Sequence, residues 1–227
     1  MMLHDRSLEF RKCISKYSNY DKAIVLGCGH GLNHVEQEDI GGDALTIGLN
    51  RSFYKLRSDV LLYMDKKTER EIIDVDFEYD VDIISMGEDR SQKEFAAYWN
   101  KNKCFDNYDN GLFWFKNTLV PALHLCVLAG IRDIVLVGFD FDSKQHFYEE
   151  GQFWRNGWVL SMADLPFETS DVKPHLSTHL FGYTLEKFFG EYFDYLCMVK
   201  KCEISFTDES IFLSRYESLK KVDKIWQ

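Results

Sequence analysis

The sequence predicts an α/β fold built on a mostly parallel sheet flanked by helices. Short apolar runs recur at residues 23–26 (AIVL), 44–49 (ALTIGL), 59–64 (DVLLYM), 81–85 (VDIIS) and 133–137 (DIVLV). Segments of helical composition lie between them, the alternation expected of a parallel sheet. Most of these runs end in residues suited to a turn or a ligand: Gly27 to Gly31 after the first, then Asn50, Asp65 and Asp140. Sheets of this kind bind ligands beyond the C-terminal ends of their strands, so residues scattered in sequence can share one crevice.

The elements follow in order. Residues 3–17 have the mixed charge and apolar spacing of a short helix. After the first strand, LNHVEQED has helix-compatible length, and after the second so does NRSFYKL. Residues 90–101 (RSQKEFAAYWNK) predict a helix with an exposed charged side, and Asn110-Gly111 a turn. Residues 117–129 (NTLVPALHLCVLA) predict a helix with Pro121 in its first turn, where a missing N–H does no harm. Gly130 ends it. Residues 142–178 form a long aromatic stretch without clear pattern, and loops of that length in a compact domain are usually functional or mobile. A helix is expected over 179–199, with Ser177 or Thr178 as its cap, and a last strand over 203–206.

A chain of 227 residues suits one domain over 1–227, and 45% hydrophobic with 28% charged residues is ordinary for a soluble protein. No apolar run approaches the roughly 18 residues of a membrane span. The N-terminal stretch lacks the apolar centre of a signal peptide, so the cytoplasm is the expected location. A net charge of −10 disfavours broad nonspecific nucleic-acid binding. The six cysteines (13, 28, 104, 126, 197, 202) are scattered without a CxxC pair, which predicts reduced, mostly buried thiols and no zinc ribbon.

The loop Gly27-Cys28-Gly29-His30-Gly31 fits two roles, a ligand cradle or a plain strand-to-helix turn. It departs from the dinucleotide pattern GxGxxG, and no Walker lysine follows. Cys28 with His30 as a metal pair is the weaker reading, because no nearby partners complete a zinc set. Asn50, followed by Arg51, is either a helix N-cap or an amide that reads a ribose or base edge. Asp65 suits a cap, a ribose hydroxyl or a magnesium ion. Asp140, just past a strongly apolar strand, is a turn residue or a functional carboxylate. His175 and His179 (HLSTH) are candidate general bases, and their spacing also fits a metal pair, although the zincin glutamate is missing.

Together the ordered segments IVLGCGHGL, LNRSFY, LLYMD, GLFWFKNTLVPALHLCVLAGIRDIVLVGFDF and HLSTH resemble the bacterial sialyltransferases of glycosyltransferase family 42. They are also similar to the related DUF115 group, which includes motility-associated glycosyltransferases and 6-hydroxymethylpterin diphosphokinases. The resemblance spans about residues 22–200. It implies a Rossmann-like (GT-A-like) domain, a nucleotide-sugar donor, no required metal or cofactor, and a lid or acceptor loop around 142–178. It further implies that residues 27–31 and Asn50 line the nucleotide, with Gly111 near the base or ribose. Asp140 would support the pocket, Tyr148 would approach a donor phosphate, and His179 would be the general base. The acceptor would be a carbohydrate, a protein or a hydroxylated nucleobase, and a homo-oligomer is compatible with the chain.

Departures bear on the donor. The family's loop usually reads GNGPS; here Cys28 replaces Asn, His30 Pro and Gly31 Ser. Asp142 stands where a tyrosine is expected, and Asp65 where the sialyltransferases carry Asn. The donor is therefore a CMP-sugar or another nucleotide sugar, and Asp65 with Asp140 offers magnesium ligands that the sialyltransferases lack. Two alternatives stand beside the transferase: a magnesium-dependent diphosphokinase of the 6-hydroxymethylpterin type, and a non-catalytic nucleotide-binding module.

Overall fold

The computed structural model describes residues 2–4, 14–40, 42–64, 66–86, 92–105, 111–113, 115, 117–140, 153–155, 158–160, 179–180, 183–207 and 210–225. Its strands are β1 (Met2–His4), β2 (Lys22–Leu26), β3 (Leu45–Leu49), β4 (Val60–Tyr63), β5 (Asp82–Ser85), β6 (Asp133–Val137), β7 (Phe153–Arg155), β8 (Trp158–Leu160), β9 (His179–Leu180), β10 (Tyr183–Thr184), β11 (Glu203–Phe206) and β12 (Lys220–Lys221). The helices are α1 (Lys66–Ile73), α2 (Gln92–Asn102), α3 (Leu119–Ala129) and α4 (Leu185–Asp194).

Eight strands form one sheet in the order β1-β5-β4-β3-β2-β6-β11-β12, with every neighbouring pair parallel. The central strands are apolar on both faces because both faces are covered. Ala23, Val25, Leu45, Ile47, Leu49, Val60, Leu62, Ile134 and Leu136 join one core cluster, with α3 and the aromatic side of α4. The alternate positions Ile24, Leu26, Leu61, Tyr63, Val135 and Val137 join the other, with Leu32, Phe53, Tyr54 and Ile72. α3 is buried nearly all round, as its uniformly apolar sequence requires. Gly130 caps it at φ +90, and Pro121 sits in the first turn, both as expected.

The chain winds outward from β2 through β3, β4 and β5 on one side, and from β6 through β11 to β12 on the other. The winding reverses between β2 and β6, which makes that junction the switch point where ligands bind in such sheets.

Several expected elements are corrected. Of residues 3–17, expected as a helix, Leu3 and His4 lie in β1, Ile14 is helical and Ser15–Tyr17 form a 3₁₀ turn, and residues 5–13 lie outside the described residues. LNHVEQED and NRSFYKL give 3₁₀ turns, His30–His34, Gln37–Asp39 and Asn50–Tyr54. These connections are too short for a stable α-helix, and β-branched Val35 returns the chain to extended geometry at φ −117. The helix expected over 179–199 starts only at Leu185, preceded by the β9–β10 hairpin and followed by a π-helical turn, Tyr195–Val199. Its cap is Thr184, whose Oγ1 accepts from the Lys187 amide at 3.1 Å. His179 therefore lies in a strand ahead of the helix and not in its first turn.

Within the long stretch 142–178, β7 and β8 form an antiparallel hairpin where no regular element was expected. Asn156-Gly157, between them in sequence, is the commonest two-residue hairpin signal and accounts for the pairing.

Candidate functional site

The β2 and β6 loops are joined by backbone beyond the ends of their strands. Gly27 N–H donates to the Val137 carbonyl at 2.7 Å, and Gly29 N–H to the Gly138 carbonyl at 2.8 Å. His30 N–H then donates to Asp140 Oδ2 at 2.9 Å. This seam explains the glycines. A Cβ on Gly27 would stand 2.3 Å from the Gly138 carbonyl oxygen, and one on Gly29 1.5 Å from Asp140 Oδ1. Gly138 itself holds φ +72, a conformation glycine adopts without strain. Two of the three loop glycines thus have a packing duty between the loops.

Cys28 is half-buried, and its thiol donates to the Leu49 carbonyl at 3.1 Å, tying the β2 loop to the end of β3. Asn50 follows at φ +48, left-handed backbone that is uncommon outside glycine. It does not cap the turn it begins. Its Nδ2 donates to Thr118 Oγ1 at 3.3 Å, across 68 residues. Thr118 is the N-cap residue of α3, so the positive end of that helix lies beside Asn50. Thr118 is absent from the residues singled out in sequence, although it stands directly before the apolar helix, where a cap residue is expected.

Two buried oxygens at this edge have no hydrogen-bond partner among the described residues: Asn50 Oδ1 and Asp140 Oδ1. Both are acceptors. Buried acceptors are normally satisfied, so an unmet pair at a switch point suits a ligand that presents O–H or N–H groups.

The other predicted site residues are distributed as follows. Arg51 is 5% exposed and held bidentately by Glu71, with Nε 2.9 Å from Oε2 and Nη2 2.8 Å from Oε1. This pair ties the Asn50–Tyr54 turn to α1. The rings of His30 and His34 lie edge to face at 5.6 Å, and Gly31 is the second residue of their turn. Gly111 holds φ +95 ahead of α3. Nearby, Phe113 N–H donates to buried His124 Nδ1 at 2.7 Å. β7 lies against the Asn50–Tyr54 turn, which brings the aromatic hairpin to the same edge. Asp65, Tyr148, His175 and the His179 side chain lie outside the described residues. Among the described residues no group of three or more His, Cys, Asp and Glu side chains could hold a metal ion, and no helix is long and apolar enough to cross a membrane.

No family model matches the sequence, and no curated protein does. Solved structures do. The chain is similar in fold to the monofunctional alpha-2,3-sialyltransferase Cst-I from Campylobacter jejuni, with TM-score 0.51 and 15% identity over 88% of this chain and 80% of that one. It is similar to the C. jejuni sialyltransferase CstII in complex with the substrate analogue CMP-3FNeuAc, with TM-score 0.51 and 15% identity over 86% and 85%. It is also similar to CST-II in complex with a trisaccharide acceptor and CMP, with TM-score 0.50 and 13% identity over 86% and 84%. The fold is thus the Rossmann-like α/β fold of these sialyltransferases over most of the chain.

Proposed function

We propose that this protein is a glycosyltransferase that moves a sugar from a nucleotide-activated donor to an acceptor hydroxyl. The observation that carries the reading is the pair of buried acceptors without a partner among the described residues, Asn50 Oδ1 and Asp140 Oδ1, at the switch point of a sialyltransferase-like fold. A phosphodiester or fully ionised phosphoryl group offers these oxygens no donor, whereas the ribose hydroxyls and base amino groups of a nucleotide do. The donor lies over residues 27–31, Asn50 and Asp140, with Gly111 near the base or ribose and Asp65 beside it. Its phosphate lies toward Tyr148.

His179 is the general base, with His175 beside it in sequence. The acceptor oxygen attacks the anomeric carbon as His179 takes its proton, and the bond to the donor phosphate breaks with inversion. Positioning and proton transfer supply most of the catalysis such a displacement needs. The 142–178 stretch, with its β7–β8 hairpin beside the Asn50–Tyr54 turn, is the acceptor side. Trp154 and Trp158 suit stacking on sugars or bases.

Calorimetry with CMP-, UDP- and GDP-sugars tests the donor. At least one should bind, and binding of none sinks the reading. His179→Ala should abolish turnover while leaving donor affinity within about twofold of wild type.

A further inference from the structure

Asn50 occupies its uncommon conformation between ties on both sides. The Leu49 carbonyl before it accepts from Cys28, and Arg51 after it is clamped by Glu71. Glu71 is 6% exposed, sits on α1 beyond β4, and also lies 3.5 Å from the Tyr54 hydroxyl at the far end of the same turn. One carboxylate thus contacts two residues of the turn that Asn50 begins. A buried ion pair contributes little net stability compared with a well-packed apolar pair, because desolvation offsets the attraction. What a bidentate guanidinium–carboxylate pair adds is a fixed geometry.

We infer that Glu71 is a positioning residue for the donor site. Through Arg51 it locks the Asn50–Tyr54 turn, and the lock keeps Asn50 left-handed, with Nδ2 on Thr118 and Oδ1 presented unpaired to the ligand. This inference rests on the reading that Asn50 touches the donor. It adds a residue placed to act through Arg51 and not on the substrate itself.

The test replaces the pair by apolar side chains, Arg51→Met with Glu71→Leu, so that neither member of the pair is left buried without the other. Glu71→Gln is a milder second variant that retains the shape of the carboxylate. Two readouts are taken. The first is CMP affinity by calorimetry. The paired exchange should weaken binding by about tenfold, matching Asn50→Ala, with the melting temperature near wild type. Adding Asn50→Ala to the exchange should cost nothing more, as expected of residues acting as one unit. CMP affinity unchanged in the exchange overturns the inference.

The second readout needs no ligand: the side-chain amide resonances of Asn50. They should shift and exchange with solvent faster in both variants. If wild type binds none of CMP, UDP and GDP but these resonances move, the positioning role stands and the donor reading falls. If they stay in place in either folded variant, the positioning role falls.

Discussion

Asn50 and Thr118 are 68 residues apart in sequence and share one hydrogen bond, from Asn50 Nδ2 to Thr118 Oγ1 at 3.3 Å. The bond fixes which way the Asn50 amide faces and leaves its oxygen buried without a partner among the described residues. Asn50→Ala should therefore weaken nucleotide binding by about 1–2 kcal/mol, roughly tenfold. The unliganded protein should lose little stability, because the variant also removes an unmet acceptor. Calorimetry and thermal unfolding, run in parallel, check the two halves. Equal loss in both would make Asn50 a structural residue.

The seam between the β2 and β6 loops leaves Gly29 no room for a side chain. A Cβ there meets Asp140 Oδ1 at 1.5 Å and the Gly138 carbonyl at 2.8 Å. Gly29→Ala should cost about 3 kcal/mol and lower the melting temperature by roughly 6–12 °C. Adding Asp140→Ala removes the nearer obstruction but not the carbonyl, so the double variant should recover only part of the loss. Full recovery, or none, would contradict the packing described.

Burial sets the alkaline limit. Tyr192 is fully buried and donates to the Val120 carbonyl at 3.0 Å, and burial holds its phenol well above the usual value of 10.0. Tyr79 is pushed up to about 12, again by burial first. Unfolded tyrosines ionise near 10, so between 10 and the folded values the native state binds more protons than the unfolded chain. Stability is then fully present below pH 10 and falls as pH rises above it. Absorbance at 295 nm should show these phenols ionising together with loss of circular dichroism. Tyr192→Phe should move the alkaline midpoint upward, and an unmoved midpoint would exclude Tyr192 from the transition.

Thiol reactivity should separate the cysteines. Cys126 is completely buried, and burial also pushes Cys202 up to about 11. Neither should react with N-ethylmaleimide in the folded protein. Cys28 is half-buried at the candidate site, so it should be labelled, and more slowly in the presence of CMP or a donor sugar. Peptide mapping by mass spectrometry reads both outcomes. Labelling of Cys28 at the same rate with saturating ligand would separate it from the ligand's footprint.

The central sheet was legible because strands covered on both faces need apolar residues at every position. AIVL, DVLLYM and DIVLV therefore stand out without any alternation. The 3₁₀ turns were less so: NRSFYKL carries helix-compatible residues, but the geometry between β3 and β4 leaves room for only one tight turn. α1 went unread because KKTEREII is mostly charged and its buried side rests on few residues, among them Thr68, Glu71 and Ile72. The convergence of residues 27–31, Asn50 and Asp140 was readable from their places after successive strands. The reason for Gly27 and Gly29 was not. A ligand and a neighbouring carbonyl both demand the absence of a Cβ, and only coordinates distinguish them. Thr118 and Glu71 were invisible for a related reason, since their partners lie 68 and 20 residues away.

The seam of Gly27, Gly29 and His30 amides has a thermodynamic consequence. These N–H groups are already satisfied before any ligand arrives, so the floor of the crevice is preorganised. A nucleotide settling there would leave the entropy of these loops nearly unchanged. The ordering that accompanies binding must then come from elsewhere on the rim. Differences in affinity among donors should follow what each donor touches above the floor, and not any closing of the floor itself.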